Sequence, residues 1–120
     1  MTSHLTDTCP AETAGIPAGA ATGPTEEAGQ DVRWHTSRRR VAWSDTDPSG
    51  AYQFTAAMRY VEDAEVELLR ELGVLDQLYP HIPRVAVEAR FLRPCYFEEL
   101  LDIDVRVTRV GRSSISYAFR

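Results

Sequence analysis

The run Asp45-Thr46-Asp47-Pro48-Ser49-Gly50 holds two carboxylates two positions apart, among the turn-forming residue types. Three chemistries compete for such a pair. A calcium loop of the helix–loop–helix kind needs a bidentate glutamate at its twelfth position. The twelfth residue here is Ala56, and no helical pattern precedes the loop. Phosphoryl transfer through an Asp-x-Asp nucleophile needs a buried parallel strand in front, which reads as a continuous apolar run. Arg38 to Ser44 is not one, and the lysine usual in haloacid-dehalogenase-like phosphatases is impossible in a chain without lysine. The third chemistry fits. A carboxylate just ahead of a helix can act on a carbonyl group polarised by the free N–H groups at the helix start.

The elements around the loop have the right periods. Before it, Arg39, Val41 and Trp43 alternate with Arg38, Arg40 and Ala42, predicting a short strand over 38–44. After it, Phe54, Ala57, Met58, Val61, Ala64, Leu68 and Leu72 follow helical spacing, and Gly73 supplies a stop. Gln53 or Thr55 could contribute to the N-cap. Pro80 and Pro83 punctuate a connection. Then period-two patterns predict strands over 84–91, 101–107 and 114–119, with a hairpin turn at Val110-Gly111-Arg112-Ser113. One amphipathic helix on an antiparallel sheet makes an α+β domain.

Composition narrows the setting. Residues 1–31 lack aromatics, lysine and arginine, and carry Pro10, Pro17 and Pro24 with five acids, so they are expected to form a disordered tail. Residues 32–120 are left to build one domain whose small core favours oligomerisation. The net charge of −5 comes from the tail; the rest holds thirteen arginines against thirteen acids. That balance lacks the basic footprint of a nucleic-acid binder, and Arg38-Arg39-Arg40 is expected to be a solvated strand start. Cys9 and Cys95 make no disulfide framework, which fits a reducing cytoplasm. Neither a secretory signal pattern nor an apolar run long enough for a membrane span is visible. No set of His, Cys and acids has metal-ligand spacing, so neither metal nor cofactor is expected. Asp45 is expected to hydrogen-bond within its loop, Glu65 to be a paired or snorkelling surface acid, and His81 to be a loop histidine.

Taken together, Val41-x-Trp43-x-Asp45-Thr46-Asp47-Pro48-Ser49-Gly50, Phe54, Arg59-Tyr60-x-Glu62-x-Ala64-x-x-Glu67-x-Leu69, Phe91-x-Arg93-Pro94 and Val110-Gly111-Arg112-Ser113-Ser114 resemble the 4-hydroxybenzoyl-CoA thioesterase family, especially its bacterial short acyl-CoA thioesterase branch. The resemblance covers residues 37 to 120. It implies a hotdog fold, in which an antiparallel sheet wraps a long helix, and a homodimer or dimer of dimers with active sites at the subunit interface. It also implies further strands after Phe119, so that 32–120 is expected to be an incomplete domain. Asp47 matches the catalytic aspartate and Phe54 the position whose backbone N–H polarises the thioester carbonyl. Gly50, Arg112, Ser113 and Ser114 are expected to bind substrate: Gly50 closes the motif, and the other three match a turn that contacts CoA. Ala51 departs from the His or Val found there in many relatives.

The expected activity is therefore hydrolysis of acyl-CoA or acyl-carrier thioesters, with Asp47 as nucleophile or general base. A hydratase of the same fold would use a histidine with its acid, and no histidine lies between His35 and His81. The alternative is a non-catalytic acyl-CoA or acyl-carrier binding module, which would have no need of a carboxylate beside the thioester.

Overall fold

The computed structural model describes residues 11–12 and 33–120. The expected tail therefore lies outside the described residues, apart from Ala11–Glu12 (β1), which pairs antiparallel with Arg90–Phe91 (β3). The main sheet consists of His35–Arg40 (β2), Leu100–Val110 (β4) and Ile115–Phe119 (β5), antiparallel in the order β2-β4-β5.

Register follows from cross-strand chemistry on the outward face. Arg38 stands opposite Asp102 and grips it with two bonds, of 2.7 and 3.2 Å, while Thr36 stands opposite Asp104 and bonds it at 2.6 Å. Opposed pairs of this kind favour one register over its neighbours. On the inward face Leu101, Ile103 and Val105 are buried against the helix. The β4–β5 pairing shifts register between Val107 and Arg109, so Thr108 is one residue too many. At the hairpin tip Gly111 N–H bonds Ser114 C=O at 2.7 Å.

The helix Phe54–Glu71 (α1) buries Ala56, Ala57, Tyr60, Ala64, Glu65, Leu68 and Leu69. The small residues let its axis approach the sheet, and Tyr60, Leu68 and Leu69 fill the space between. The ends of the expected stripe differ: Phe54 and Leu72 are largely exposed, because the sheet covers only the middle turns. Gly73 stops the helix at φ +72°, with Val74 N–H bonding Leu69 C=O and Gly73 N–H bonding Arg70 C=O, both at 3.0 Å. That bond pair satisfies carbonyls the helix itself leaves open. A short helix, Leu75–Leu78 (α2), follows.

Three expectations need correction. The first strand lies over 35–40 rather than 38–44; Val41 then turns in to bond Glu98 and Glu99, and Trp43–Asp45 form a 3-10 turn that swings Trp43 out to 75% exposure. The strand expected over 84–91 is realised only at Arg90–Phe91, and Val85 is 91% exposed. A strand needs a neighbour for its N–H and C=O groups, and residues 84–89 have none among those described. Finally, Cys95 is fully buried and disulfide-bonded, which removes the thiol-based argument for a reducing compartment. Among the described residues no helix is long and apolar enough to cross a membrane.

Candidate active site

The Asp45–Gly50 run folds into a narrow hairpin. Asp45 C=O accepts from Gln53 N–H at 2.8 Å, Thr46 bridges Tyr52, and Asp47 N–H bonds Ala51 C=O at 2.9 Å. Gly50, at φ +82°, closes the turn with its N–H on Asp47 C=O at 2.9 Å. This conformation is one that glycine adopts without steric cost. The loop is tied to the segment between β3 and β4 through Phe97 N–H to Gly50 C=O and Tyr52 N–H to Cys95 C=O, at 3.3 and 2.7 Å.

Asp47 is half-buried, and its Oδ1 accepts from both the Ser49 hydroxyl and the Ser49 N–H, the latter at 2.8 Å. The hydroxyl first, and the N–H second, hold its carboxyl below the usual aspartate range. Asp47 is therefore ionised throughout the neutral range. Hydrogen bonds to the charged form produce this shift.

Helix α1 begins one residue after Gln53, which offers no side-chain cap; Ala56 N–H bonds Gln53 C=O at 2.9 Å. The N–H groups of Phe54 and Thr55 thus find no acceptor among the described residues. The hairpin that carries Asp47 runs directly into the helix start, where these unsatisfied donors lie at the positive helix end. An oxygen gaining negative charge could be stabilised there.

The Asp45 backbone bonds within the hairpin, but its side chain does not. Its carboxylate reaches back to α1, taking the Arg59 guanidinium on Oδ1 and the Tyr60 hydroxyl on Oδ2, the latter at 2.5 Å. Burial, and then the bond to Asp45, push the Tyr60 hydroxyl up to about 12. Arg59 and Tyr60 drew no functional expectation from spacing alone, since nothing local links positions 14 and 15 residues apart.

Arg112, Ser113 and Ser114 are not part of this assembly. They form the exposed β4–β5 turn. The loop adjoins the Leu100 end of β4, through Val41 and Glu99. The turn lies at the other end of an eleven-residue strand, roughly 30 Å away at the rise of extended chain.

Glu65 is paired, as expected, but it is not a surface acid. It is 3% exposed, and its carboxylate is met by Arg84 from the 82–89 segment. The Tyr117 hydroxyl, buried with no hydrogen-bond partner among the described residues, is pushed up to about 12 by burial and then by the Glu65 charge. Eleven positions of helix separate Glu65 from Phe54, about 16 Å at 1.5 Å per residue, so Glu65 lies outside the Asp47 hairpin. A cleft of about 490 Å³ opens beside it, lined by Glu62 and residues 79–84. His81 belongs to that cleft. The Arg38-Arg39-Arg40 run is committed to acids: Arg38 to Asp102, Arg39 to Glu67 and Asp63, Arg40 to Glu98. No group of three or more His, Cys, Asp or Glu side chains among the described residues could hold a metal ion.

A small cavity of about 30 Å³ lies between α1 and the sheet, lined by Tyr52, Ala57, Tyr60, Leu101, Ile103 and Phe119 among others. It is far below the several hundred Å³ of a typical ligand pocket.

Comparison with known proteins agrees with this architecture. The chain is 28% identical over 87 residues to a 1,4-dihydroxy-2-naphthoyl-CoA hydrolase of Thermosynechococcus vestitus, covering 68% of this chain and 60% of that protein. It is 23% identical over 99 residues to a protein of the same name from Prochlorococcus marinus, covering 72% and 64%. The chain thus spans less than two thirds of the length of these curated relatives, 60% of one and 64% of the other. No solved structure matches the chain significantly. The family model described as thioesterase superfamily matches residues 55–120, which takes in α1, the β4–β5 hairpin and its turn and begins after the Asp47 loop. With a long helix laid on an antiparallel sheet and more than half of its length matched, this chain belongs to the thioesterase superfamily and has its hotdog fold.

Proposed function

We propose that the protein hydrolyses acyl-CoA thioesters with Asp47 as its reacting carboxylate. The observation that carries this reading is the hairpin that joins an ionised Asp47 to the unsatisfied N–H groups opening α1. The thioester oxygen accepts from Phe54 N–H, where the helix end stabilises the negative charge that develops during attack. Asp47 either attacks the carbonyl carbon, forming an anhydride that water then opens, or takes a proton from the attacking water. In both routes the C–S bond breaks, the thiolate leaves and gains a proton, and water supplies the oxygen of the acid. Both relatives are named as hydrolases of an aromatic acyl-CoA, so aryl-CoA thioesters are the first substrates to try, ahead of acyl-carrier thioesters.

The site is completed by a second copy of the chain. Two observations favour this: the cavity between α1 and the sheet measures only about 30 Å³, while the cleft of about 490 Å³ lies at Glu65, away from the Asp47 hairpin, and the Arg112–Ser114 turn lies at the far end of β4 from its own Asp47. In a homodimer, the partner subunit supplies the opposite wall, and its turn binds CoA.

Thiol release from a panel of benzoyl-, hydroxybenzoyl-, naphthoyl- and short-chain acyl-CoAs tests the reading. Asp47→Asn keeps the shape of the side chain and should lower turnover at least about 100-fold with little change in melting temperature. Near-full activity in that variant refutes the assignment. Tight binding of acyl-CoA by wild-type protein without turnover would instead favour a binding module.

A further inference from the structure

We infer that Tyr60 and Arg59, acting through the Asp45 carboxylate, form a latch that sets the reach between the Asp47 carboxylate and the Phe54 N–H. This inference rests on the proposed thioesterase reading and assigns positioning residues to it.

The geometry is specific. Asp45 is tied to α1 and its N-cap residue at three atoms: its backbone C=O accepts from Gln53 N–H at 2.8 Å, Oδ2 accepts from Tyr60 Oη at 2.5 Å, and Oδ1 accepts from Arg59. Gln53 directly precedes Phe54, and Asp47 follows Asp45 by two residues. The two reacting groups therefore branch from opposite sides of one clamped pair. Tyr60 is 7% exposed and belongs to the core cluster with Ala56, Ala64 and Ile103. The Asp45 side chain is 13% exposed. The latch is thus anchored in the rigid part of the domain, while the hairpin it holds is a surface turn. Asp45, Arg59 and Tyr60 need not touch substrate for this role.

Misplacing reacting groups by about 1 Å can cost roughly 100-fold in rate. A bond to a charged acceptor contributes enough to hold such a position, on the order of a tenfold population ratio or more. Tyr60→Phe removes only the hydroxyl and keeps the ring in the core. We expect kcat to fall by about 10-fold or more while KM changes less than about threefold. The acidic limb of the pH profile should stay in place, since Asp47 and Ser49 are untouched. Asp45→Asn should lower kcat likewise, and the double variant should lose little more than either single one, because both remove the same contact.

Hydrogen exchange supplies the arm that does not depend on activity. The Gln53 amide, bonded to Asp45, should exchange at least about tenfold faster in Tyr60→Phe, with amides of β4 unchanged. A variant that melts lower but keeps wild-type kcat and Gln53 protection would overturn the latch, leaving Tyr60 a packing residue. Wild-type protein inactive on every thioester would overturn the functional reading instead, and the exchange comparison would still decide whether the latch exists.

Discussion

Replacing Arg84 by methionine strands a charge. Glu65 is 3% exposed and its carboxylate is met by the Arg84 guanidinium, whose side chain is 42% exposed. Breaking a fully buried ion pair from one side costs about 3–5 kcal/mol, whereas an exposed pair contributes only about 0–1 kcal/mol. Here the acid is buried and the base is half in water, so Arg84→Met should cost about 2 kcal/mol at neutral pH. For a domain of this size that lowers the melting temperature by about 8–16 °C. Thermal melts followed by circular dichroism measure it directly. The control is Glu65→Leu combined with Arg84→Met, which replaces both charges by apolar groups and should recover to within about 1 kcal/mol of wild type. Since the pair lies about 16 Å of helix from Phe54, kcat measured well below the melt should be unchanged in the single variant. The reasoning fails if Arg84→Met melts with the wild type, or if the double variant melts no higher than the single one.

Two further outcomes bear on the site itself. Ser49→Ala removes the hydroxyl that, with the Ser49 N–H, holds Asp47 below its usual range; the aspartate then titrates higher, so the acidic limb of kcat/KM should move to higher pH, and an unmoved limb would exclude Asp47 as the titrating group. Mixing subunits tests shared sites: Asp47→Asn and Arg112→Ala proteins, each impaired alone, should regain up to about a quarter of wild-type activity after dissociation and reassociation, because one site in a mixed dimer is intact, and failure to regain any would show that acid and turn serve the same subunit's site.

Much of this was legible in the residues because it rests on local periodicity. Helix α1 and strands β4 and β5 follow their patterns closely, since each buries one face against another. The turn at Gly50 and the stop at Gly73 were visible as residue types that accept positive φ. What escaped depended on distant partners. Val85 and Val87 have the alternation of a strand, but alternation only says that a segment could pair, not that a neighbour is present. Trp43 has inward parity, yet the 3-10 turn at 43–45 rotates it out. Glu65 was visible as an acid near an apolar stripe; that Arg84 meets it nineteen residues on was not. Asp45 shows the same limit, because its bonds to Arg59 and Tyr60 exist only once the hairpin folds back on the helix.

The extra residue at Thr108 divides β4 into two independently registered halves. Below it, Val105 opposite Phe119 ties the strand to the core; above it, Arg109 opposite Ser116 and Val110 opposite Ile115 serve only the hairpin tip. A change of length or sequence in residues 109–116 can therefore be absorbed at the irregularity, without rotating Leu101, Ile103 and Val105 away from α1. The end of the hairpin is thus a module: under the proposed reading, the Arg112–Ser114 turn can change without disturbing the half of the strand beside the Asp47 hairpin.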